Sequence, residues 1–430
     1  MKLKNIFRSF VTGAAMLAIA GTASATTYDI NIYGASAQFT FWNSVASPWI
    51  KAQTGCSTDT PVQYTFDGNN KITRVTCTGG DTYNIRVSSK ASFDGILALK
   101  GDATYATVGT TAEACSAGDP GDPGASLRGY YRKMVDETTC SGTTCSGLKC
   151  VRVTVGASDV AGASFKQSSL GNQHGSTGSV IYRGFNGIST TGINSSRPFV
   201  VPFAFYANTQ NAALNTAMNN NITRMMVILL FSGQIDDWNE LGTNYPDLHT
   251  SVCLRHAGSG THSTLDFAIM RGNGWGGTLA AQSNVPGQTA TTVSGQSLAA
   301  YDNTMPDLYF NDTTGDELGC INSYAGAIGY ADADKEVSLT NHTVNGYANI
   351  QQIAYQGEYP SADAIANGRY DFWTNEWAYK DPTLTTPLLT AVNSLLSYVS
   401  GHIPTSEQPF WMDQNAMTFE KATDQAYPQR

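Results

Sequence analysis

The sequence predicts an α/β protein with parallel strands, arranged as two lobes. Three observations carry this. The stretch "YDINIYGASAQFTFWNSVASPWIKAQTG" opens with an alternating strand, turns at Gly-Ala-Ser and continues as an aromatic-rich helix from about Thr40. The same order returns in "YNIRVSSKASFDGILALKG", where Tyr83 to Val87 is strand-like, Ser88 to Ser92 a capping loop and Phe93 to Leu99 helix-like. Repeated strand-turn-helix units place parallel strands in one sheet, with the loops gathered at the strand carboxyl ends. Finally, about 405 residues remain once a leader is set aside, which is long for one core and suits two.

The leader is residues 1–25. Lys2, Lys4 and Arg8 precede an apolar stretch from Phe10 to about Ala20, and Ala23-Ser24-Ala25 forms a small-residue cleavage site, so the mature chain is expected to begin near Thr26. No later segment offers the 18 or so consecutive apolar residues of a membrane span, and the mature protein is expected to be soluble, periplasmic or secreted. Charged residues make up 14% of the chain, against about 25% in ordinary soluble proteins. The formal charge of -9 becomes -12 when the three leader cations are removed, which argues against a nucleic acid partner.

All eight cysteines (56, 77, 115, 140, 145, 150, 253 and 320) lie in the exported part. An even number in an oxidising compartment predicts disulfides. Cys56 with Cys77 and Cys253 with Cys320 are candidate local pairs, leaving Cys115, Cys140, Cys145 and Cys150 to pair among themselves. The spacing contains no C-x-x-C, so neither zinc nor haem is expected.

Along the chain, the stretch from Gly101 to Cys150 dissolves into "SAGDPGDPGASLRG" and "TTCSGTTCSG" and reads as a disulfide-stapled insertion. Regular structure returns in "VRVTVGASDV" and "PFVVPFAFYAN", both β-like. "NITRMMVILLFSGQIDDWNEL" then gives a helix, a glycine turn and a buried Trp238, and "TPLLTAVNSLLSYVSG" gives a late amphipathic helix. Trp42, Trp49 and Trp275 are likewise expected to be packing residues.

The chemistry concentrates in "CLRHAGSGTHSTLDF". A glycine-loosened turn feeds a helix N-terminus, where Ser259 to Ser263 offer N-cap side chains. Such a turn leaves backbone N–H groups unpaired and aims the positive end of the helix dipole forward, and Arg255 adds a fork of donors. This is a place for an anion. "GNGWGG" at 272–277 satisfies G-x-G-x-x-G but follows a helix rather than a strand, so it does not predict a dinucleotide site. Ala257 and Thr261 break the G-x-S-x-G elbow around Ser259, and Ser259 and His256 sit too close on one turn for a hydrolytic triad. His256 reads as an exposed or backbone-bonded loop residue.

Six segments in order resemble the periplasmic phosphate-binding proteins of ABC importers and their secreted DING relatives. "GASAQF" (Gly34 to Phe39) is similar to the family's G-A-G-A-T-F loop and "SSKAS" to its S-S-G-G loop. "GASD" (Gly156 to Asp159) has the same letters, and "RHAGSGT" resembles R-A-D-G-S-G-T. "FSGQIDDWNEL" resembles G-K-I-x-x-W-x-D, and "GAIGYAD" resembles P-G-A-I-G-Y-V-E. The resemblance implies a two-lobe periplasmic-binding-protein fold, with a ligand cleft between lobes joined by two crossing strands, here "PFAFYAN" and "GRYDFWTNEW". Lobe one would hold residues 26–205 plus 378–430, including the Cys-rich insertion at about 101–150, and lobe two residues 206–377.

Carried over position by position, the implied phosphate-binding set is Gln38, Phe39 through its backbone N–H, Ser88 or Ser89, Asp159, Arg255, Ser259, Gly260 and Thr261. Gln38 stands where the family has threonine, and Ala257 replaces an aspartate that pairs with the arginine. Chemistry supports the aspartate independently. A protonated phosphate carries an O–H that needs an acceptor, whereas sulfate, molybdate and tungstate at neutral pH have no proton to donate. An N-cap is the structural alternative for Asp159.

The expected function is capture of inorganic phosphate, with arsenate as a related ligand, by a monomer that serves an ABC permease, without cofactor, metal or catalysis. A secreted anion-binding or surface-interaction protein of the same fold is the alternative, and a phosphate-ester hydrolase a third reading.

Overall fold

Alternation from Tyr28 to Gly34 makes a strand whose two faces need different covers, and both are provided. In the computed structural model the strand Thr27–Gly34 runs parallel to Thr82–Ser89 on one side and to Val155–Ser158 on the other. Ile30 and Ile32 pack with Phe41, Trp42, Val45 and Trp49 of the helix Phe39–Lys51. Tyr33, from the other face, packs with Phe93, Ile96 and Leu99 of the helix Ser92–Leu99. Burial on both faces is what parallel strands require, because their crossover helices cover both sides of the sheet. The structure describes residues 25–104, 113–166, 187–271, 307–335, 337–338, 340–404 and 411–430, with the backbone of the strands Ser168–Asn172, Val180–Gly184, Thr289–Val293 and Gln296–Ala300. Residues 1–24, nearly all of the expected leader, and the "GNGWGG" segment with Trp275 lie outside the described residues.

An antiparallel hairpin, Val62–Asp67 with Asn70–Thr76, extends this first sheet past Thr82–Ser89, an addition that the strand-turn-helix reading did not include. The second sheet is centred on Ser251–Arg255, parallel to both Asp307–Asn311 and Ala327–Asp332. Val200–Asn208 joins it antiparallel to Ala327–Asp332 and Ile350–Tyr355. Among the described residues each of these two sheets holds nine strands. The strands Ser168–Asn172 and Val180–Gly184, within the 26–205 stretch, extend the second sheet beside Asp307–Asn311. Chain passes between the sheets at the two expected crossings, where Val200, Val201 and Pro202 pair with Asn375, Thr374 and Trp373 just before Trp377–Lys380 enters the first sheet, and also on either side of Ser168–Gly184, since Asn194–Ser196 is back in the first sheet.

The insertion is more than a stapled surface loop. Its strands Tyr131–Val135 and Leu148–Arg152 pair with each other, and Met134 and Val135 are fully buried. Arg132, fully buried, pairs with Asp94 of the Ser92–Leu99 helix at 2.7 Å, and Tyr33 donates to Glu113. A buried guanidinium is stable only when paired, so this contact ties the insertion to the sheet. The disulfides are Cys56–Cys77, Cys115–Cys150, Cys140–Cys145 and Cys253–Cys320. The two local pairs are those expected. No helix among the described residues is long and apolar enough to cross a membrane.

Candidate functional site

The turn after Ser251–Arg255 and the turns after Val155–Ser158 and Thr82–Ser89 meet face to face between the two sheets. Ser259 caps the helix Gly260–Thr264, its Oγ accepting from the His262 amide at 3.4 Å. The backbone N–H of Gly260 donates to Ser92 Oγ at 3.1 Å, and Ser92 Oγ donates to Asp159 Oδ2 at 3.0 Å. Thr261 Oγ1 reaches the same carboxylate oxygen at 3.4 Å, and Phe93 N–H donates to the Gly258 carbonyl at 3.2 Å. The two glycines are needed for this approach. A Cβ on Gly260 would stand 2.5 Å from Asp159 Cβ, and one on Gly258 would stand 2.3 Å from the Phe93 ring. Only bare backbone lets the turn reach the opposite sheet.

Arg255 lies behind this turn, 1% exposed. Its Nη1 donates to Thr314 Oγ1 at 2.8 Å and to Ser36 Oγ at 3.5 Å, and its Nη2 to the Asp312 carbonyl at 3.0 Å. Nε is buried with no hydrogen-bond partner. The residue standing in for the family's arginine-pairing aspartate, Ala257, is buried against Phe93 and Tyr379 instead, so neutral oxygens position this guanidinium. Asp312 also pairs with Lys90 at 3.2 Å, a charge contact between the two sheets.

Asp159 does not cap a helix: the short helix that follows, Gly162–Ser164, has Ala161 at its N-cap. Its carboxyl is buried, and burial, then the neighbouring Asp332 carboxylate, pushes it up to about 7. It hydrogen-bonds the buried carboxyl of Glu376, which burial and then Asp159 hold well above the usual carboxylate range. Asp159 Oδ1 and Glu376 Oε1 are the carboxyl oxygens left without a donor. One proton shared between the two groups satisfies both. Glu376 Oε2 in turn accepts from Gln38 Nε2, and Gln38 Oε1 accepts from Trp42 Nε1 at 2.8 Å.

Of the expected residues, Asp159, Arg255, Ser259, Gly260 and Thr261 come together, with Gln38 one carboxyl away. Phe39 and the serine pair stand apart. The Phe39 amide donates to the Ser36 carbonyl inside a helical turn. Ser88 Oγ donates to Asn70 at 2.5 Å, on the strand of the unforeseen hairpin, and Ser89 faces a neighbouring cavity. Ser92 takes the place at the cleft. Sequence reasoning missed Ser36, Ser92, Asp312, Thr314 and Glu376. The first two lie inside motifs already singled out, and Thr313 with Asp316 spells a capping box in front of the helix Thr314–Ser323. Glu376 has no local signal. His256 is buried, not exposed, and its Nδ1 accepts from the Gly258 amide at 3.0 Å. His262, also buried, meets the Tyr330 hydroxyl at 2.6 Å, and burial, then Arg255, depresses it to about 3, so it is neutral. Among the described residues no group of His, Cys, Asp and Glu could hold a metal ion.

A family model described as a PBP superfamily domain matches residues 130–399. Comparison with curated proteins gives no match. Similar solved structures include a putative phosphate ABC transporter substrate-binding protein with bound phosphate from Clostridium perfringens, at 12% identity and TM-score 0.46, covering 90% of this chain and 99% of that one. Another is a phosphate-binding protein from Stenotrophomonas maltophilia, at 14% identity and TM-score 0.41, covering 88% of this chain and 84% of that one.

Proposed function

The chain belongs to the PBP superfamily, and we propose that it captures inorganic phosphate, and arsenate as its shape analogue, in the cleft between its sheets and delivers it to an ABC permease from the periplasm or as a secreted monomer. The observation that carries this reading is the pairing of opposite chemistries across one cleft. Asp159 presents an acceptor oxygen whose sole donor is the proton it shares with Glu376, and Arg255 presents a buried Nε with no acceptor. A protonated phosphate supplies both, its O–H to Asp159 and its anionic oxygens to the guanidinium and to the helix N-terminus at Gly260 and Thr261. In this reading phosphate replaces Glu376 as the partner of Asp159, while Phe39 and Ser89 line the neighbouring cavity and Ser88 bonds to Asn70. The protein is a binder, not an enzyme: Ser259 Oγ caps its own helix and His256 Nδ1 is taken by a backbone amide.

Calorimetry of the mature protein, freed of bound anion, tests it. Phosphate should bind one-to-one, and Arg255→Ala should weaken it by roughly 2–5 kcal/mol, the cost of leaving a buried charge partner unmatched. Asp159→Asn replaces an acceptor with a donor that a proton-free oxyanion can use, so the phosphate-to-sulfate affinity ratio should fall. A ratio unchanged within error would retire Asp159 from selectivity, and no heat with millimolar phosphate would refute the reading.

A further inference from the structure

The cleft continues past the anion site into an open cavity of about 620 Å³, walled from both sheets by Phe39, Asn69 and Lys71 on one side and Lys335, Asn345 and Tyr347 on the other. Small-molecule sites span about 300–1,000 Å³, and a single tetrahedral oxyanion leaves most of such a space unfilled. Part of the wall is a pair of hydroxyls, Ser36 Oγ and Thr314 Oγ1, 3.0 Å apart and one from each side of the cleft. Both also touch the Arg255 guanidinium, Thr314 at 2.8 Å and Ser36 at 3.5 Å. Two rotatable hydroxyls therefore stand between the buried cation and the cavity. They can pass a ligand's ester oxygen while still bonding to it, since each can donate or accept.

The walls suit a polyol. Lys71 holds its ammonium 5.6 Å from the Phe39 ring centroid, and Lys335, paired with Asp332 at 2.9 Å, supplies a second cation. Phe39 and Tyr347 bring aromatic surface for C–H faces, while Asn69 and Asn345 bring amides that can donate to and accept from hydroxyls. Resting on the phosphate reading at Arg255, we propose that the protein also takes phosphate monoesters of small polyols, with the phosphoryl group at Arg255 and the sugar in the cavity between Lys71 and Tyr347. No bond is made or broken; the ester is bound whole.

The experiment is calorimetry of the mature chain with inorganic phosphate and with glucose 6-phosphate, on the native protein, Lys71→Ala and Tyr347→Ala. Glucose 6-phosphate should bind at one site and compete with phosphate. Each variant should lose about tenfold or more in glucose 6-phosphate affinity, the scale of one hydrogen bond to a charged group or one aromatic contact, while phosphate affinity stays within about twofold and certifies the fold. Phosphate binding without glucose 6-phosphate binding overturns this inference and leaves the phosphate reading standing. Binding of the ester with no measurable phosphate affinity supports the cavity and sinks the inorganic-phosphate reading, and heat from neither ligand refutes both. If the ester binds equally well to both variants, the sugar is not in this cavity and the assignment fails.

Discussion

Substituting Gly260 by alanine should weaken phosphate binding without unfolding the protein. The added Cβ would stand 2.5 Å from Asp159 Cβ, 2.6 Å from Ser92 Oγ and 2.7 Å from Asp159 Oδ2. Carbon contacts relax only at about 3.5–4.0 Å, so the two sides must part by roughly 1 Å. A Cβ is anchored to the backbone and cannot swing aside, and Asp159 Cβ is anchored in the same way. That separation stretches the bond from the Gly260 amide to Ser92 and the one from the Phe93 amide to the Gly258 carbonyl. Overpacking costs about 1–3 kcal/mol and each weakened hydrogen bond about 0.5–1.5, so about 2–4 kcal/mol of closure energy is lost. In affinity that is about 30- to 1,000-fold. The clash exists only between the two sides of the cleft, and alanine is a better helix former than glycine, so the helix Gly260–Thr264 itself is not harmed. The assay is calorimetry with phosphate alongside thermal melts without ligand. An unchanged phosphate affinity would show that the contact between Gly260 and Asp159 does not belong to the bound state. A large drop in the ligand-free melting temperature would show that the contact serves folding instead.

Two further outcomes follow from the buried groups and the crosslinks. Burial pushes Asp159 and Glu113 up to about 7 and Glu317 up to about 8, so each holds its proton in the folded chain and releases it near pH 4 when unfolded. Their stabilising effect is complete below about pH 4 and lost as pH rises through about 7 to 8, so ligand-free melts should shift downward from pH 5 to pH 7; an upward shift would mean these carboxyls are ionised in the fold. Replacing Cys253 and Cys320 together by alanine opens a loop of separation 67 and should cost about 4 kcal/mol, against about 2 for Cys140 and Cys145 at separation 5, and equal losses in denaturant melts would contradict the loop-length account.

Local patterns were readable because their causes are local. The strand Thr27–Gly34 with its helix, the Ser259 cap and the two crossings all follow from alternation, capping chemistry and apolar runs within a few residues. Ser88 stands apart because of a neighbour: its hydroxyl turns to Asn70, whose strand Asn70–Thr76 lies alongside, while Ser92, at the start of the next helix, faces Asp159. The glycines at 258 and 260 were visible as a loosened turn. Their reason was not, since Phe93 and Asp159 approach from more than ninety residues away in the chain. The same holds for the oxygens around Arg255. Asp312 and Thr314 are brought to it by parallel pairing of Ser251–Arg255 with Asp307–Asn311, a register that no short window of sequence records.

The contacts between the two sheets are of two kinds, and they lie on different sides of the cleft. Around the crossings a continuous apolar core joins Phe41, Phe199, Phe203, Phe372 and Trp411, with Phe41 stacked on Phe199 at 3.5 Å. At the candidate site, beside the Phe93 ring against Ala257, the contacts are mostly polar: Lys90 with Asp312, Ser92 with Gly260, and Ser36 with Thr314. Breaking apolar packing exposes surface at about 25 cal/mol per Å², whereas a broken polar contact regains water and forfeits little net free energy. Opening is therefore cheap on the site's side and costly at the crossings. That asymmetry is the requirement for a hinge, because the ligand's differential contacts then have only a small polar penalty to overcome in drawing the cleft shut. It also accounts for the polar pair Ser36 and Thr314 meeting across the cleft, and for Asp159 and Glu376 lying side by side at the ends of paired strands of the first sheet: each can give up its present partner for a ligand oxygen of the same chemistry.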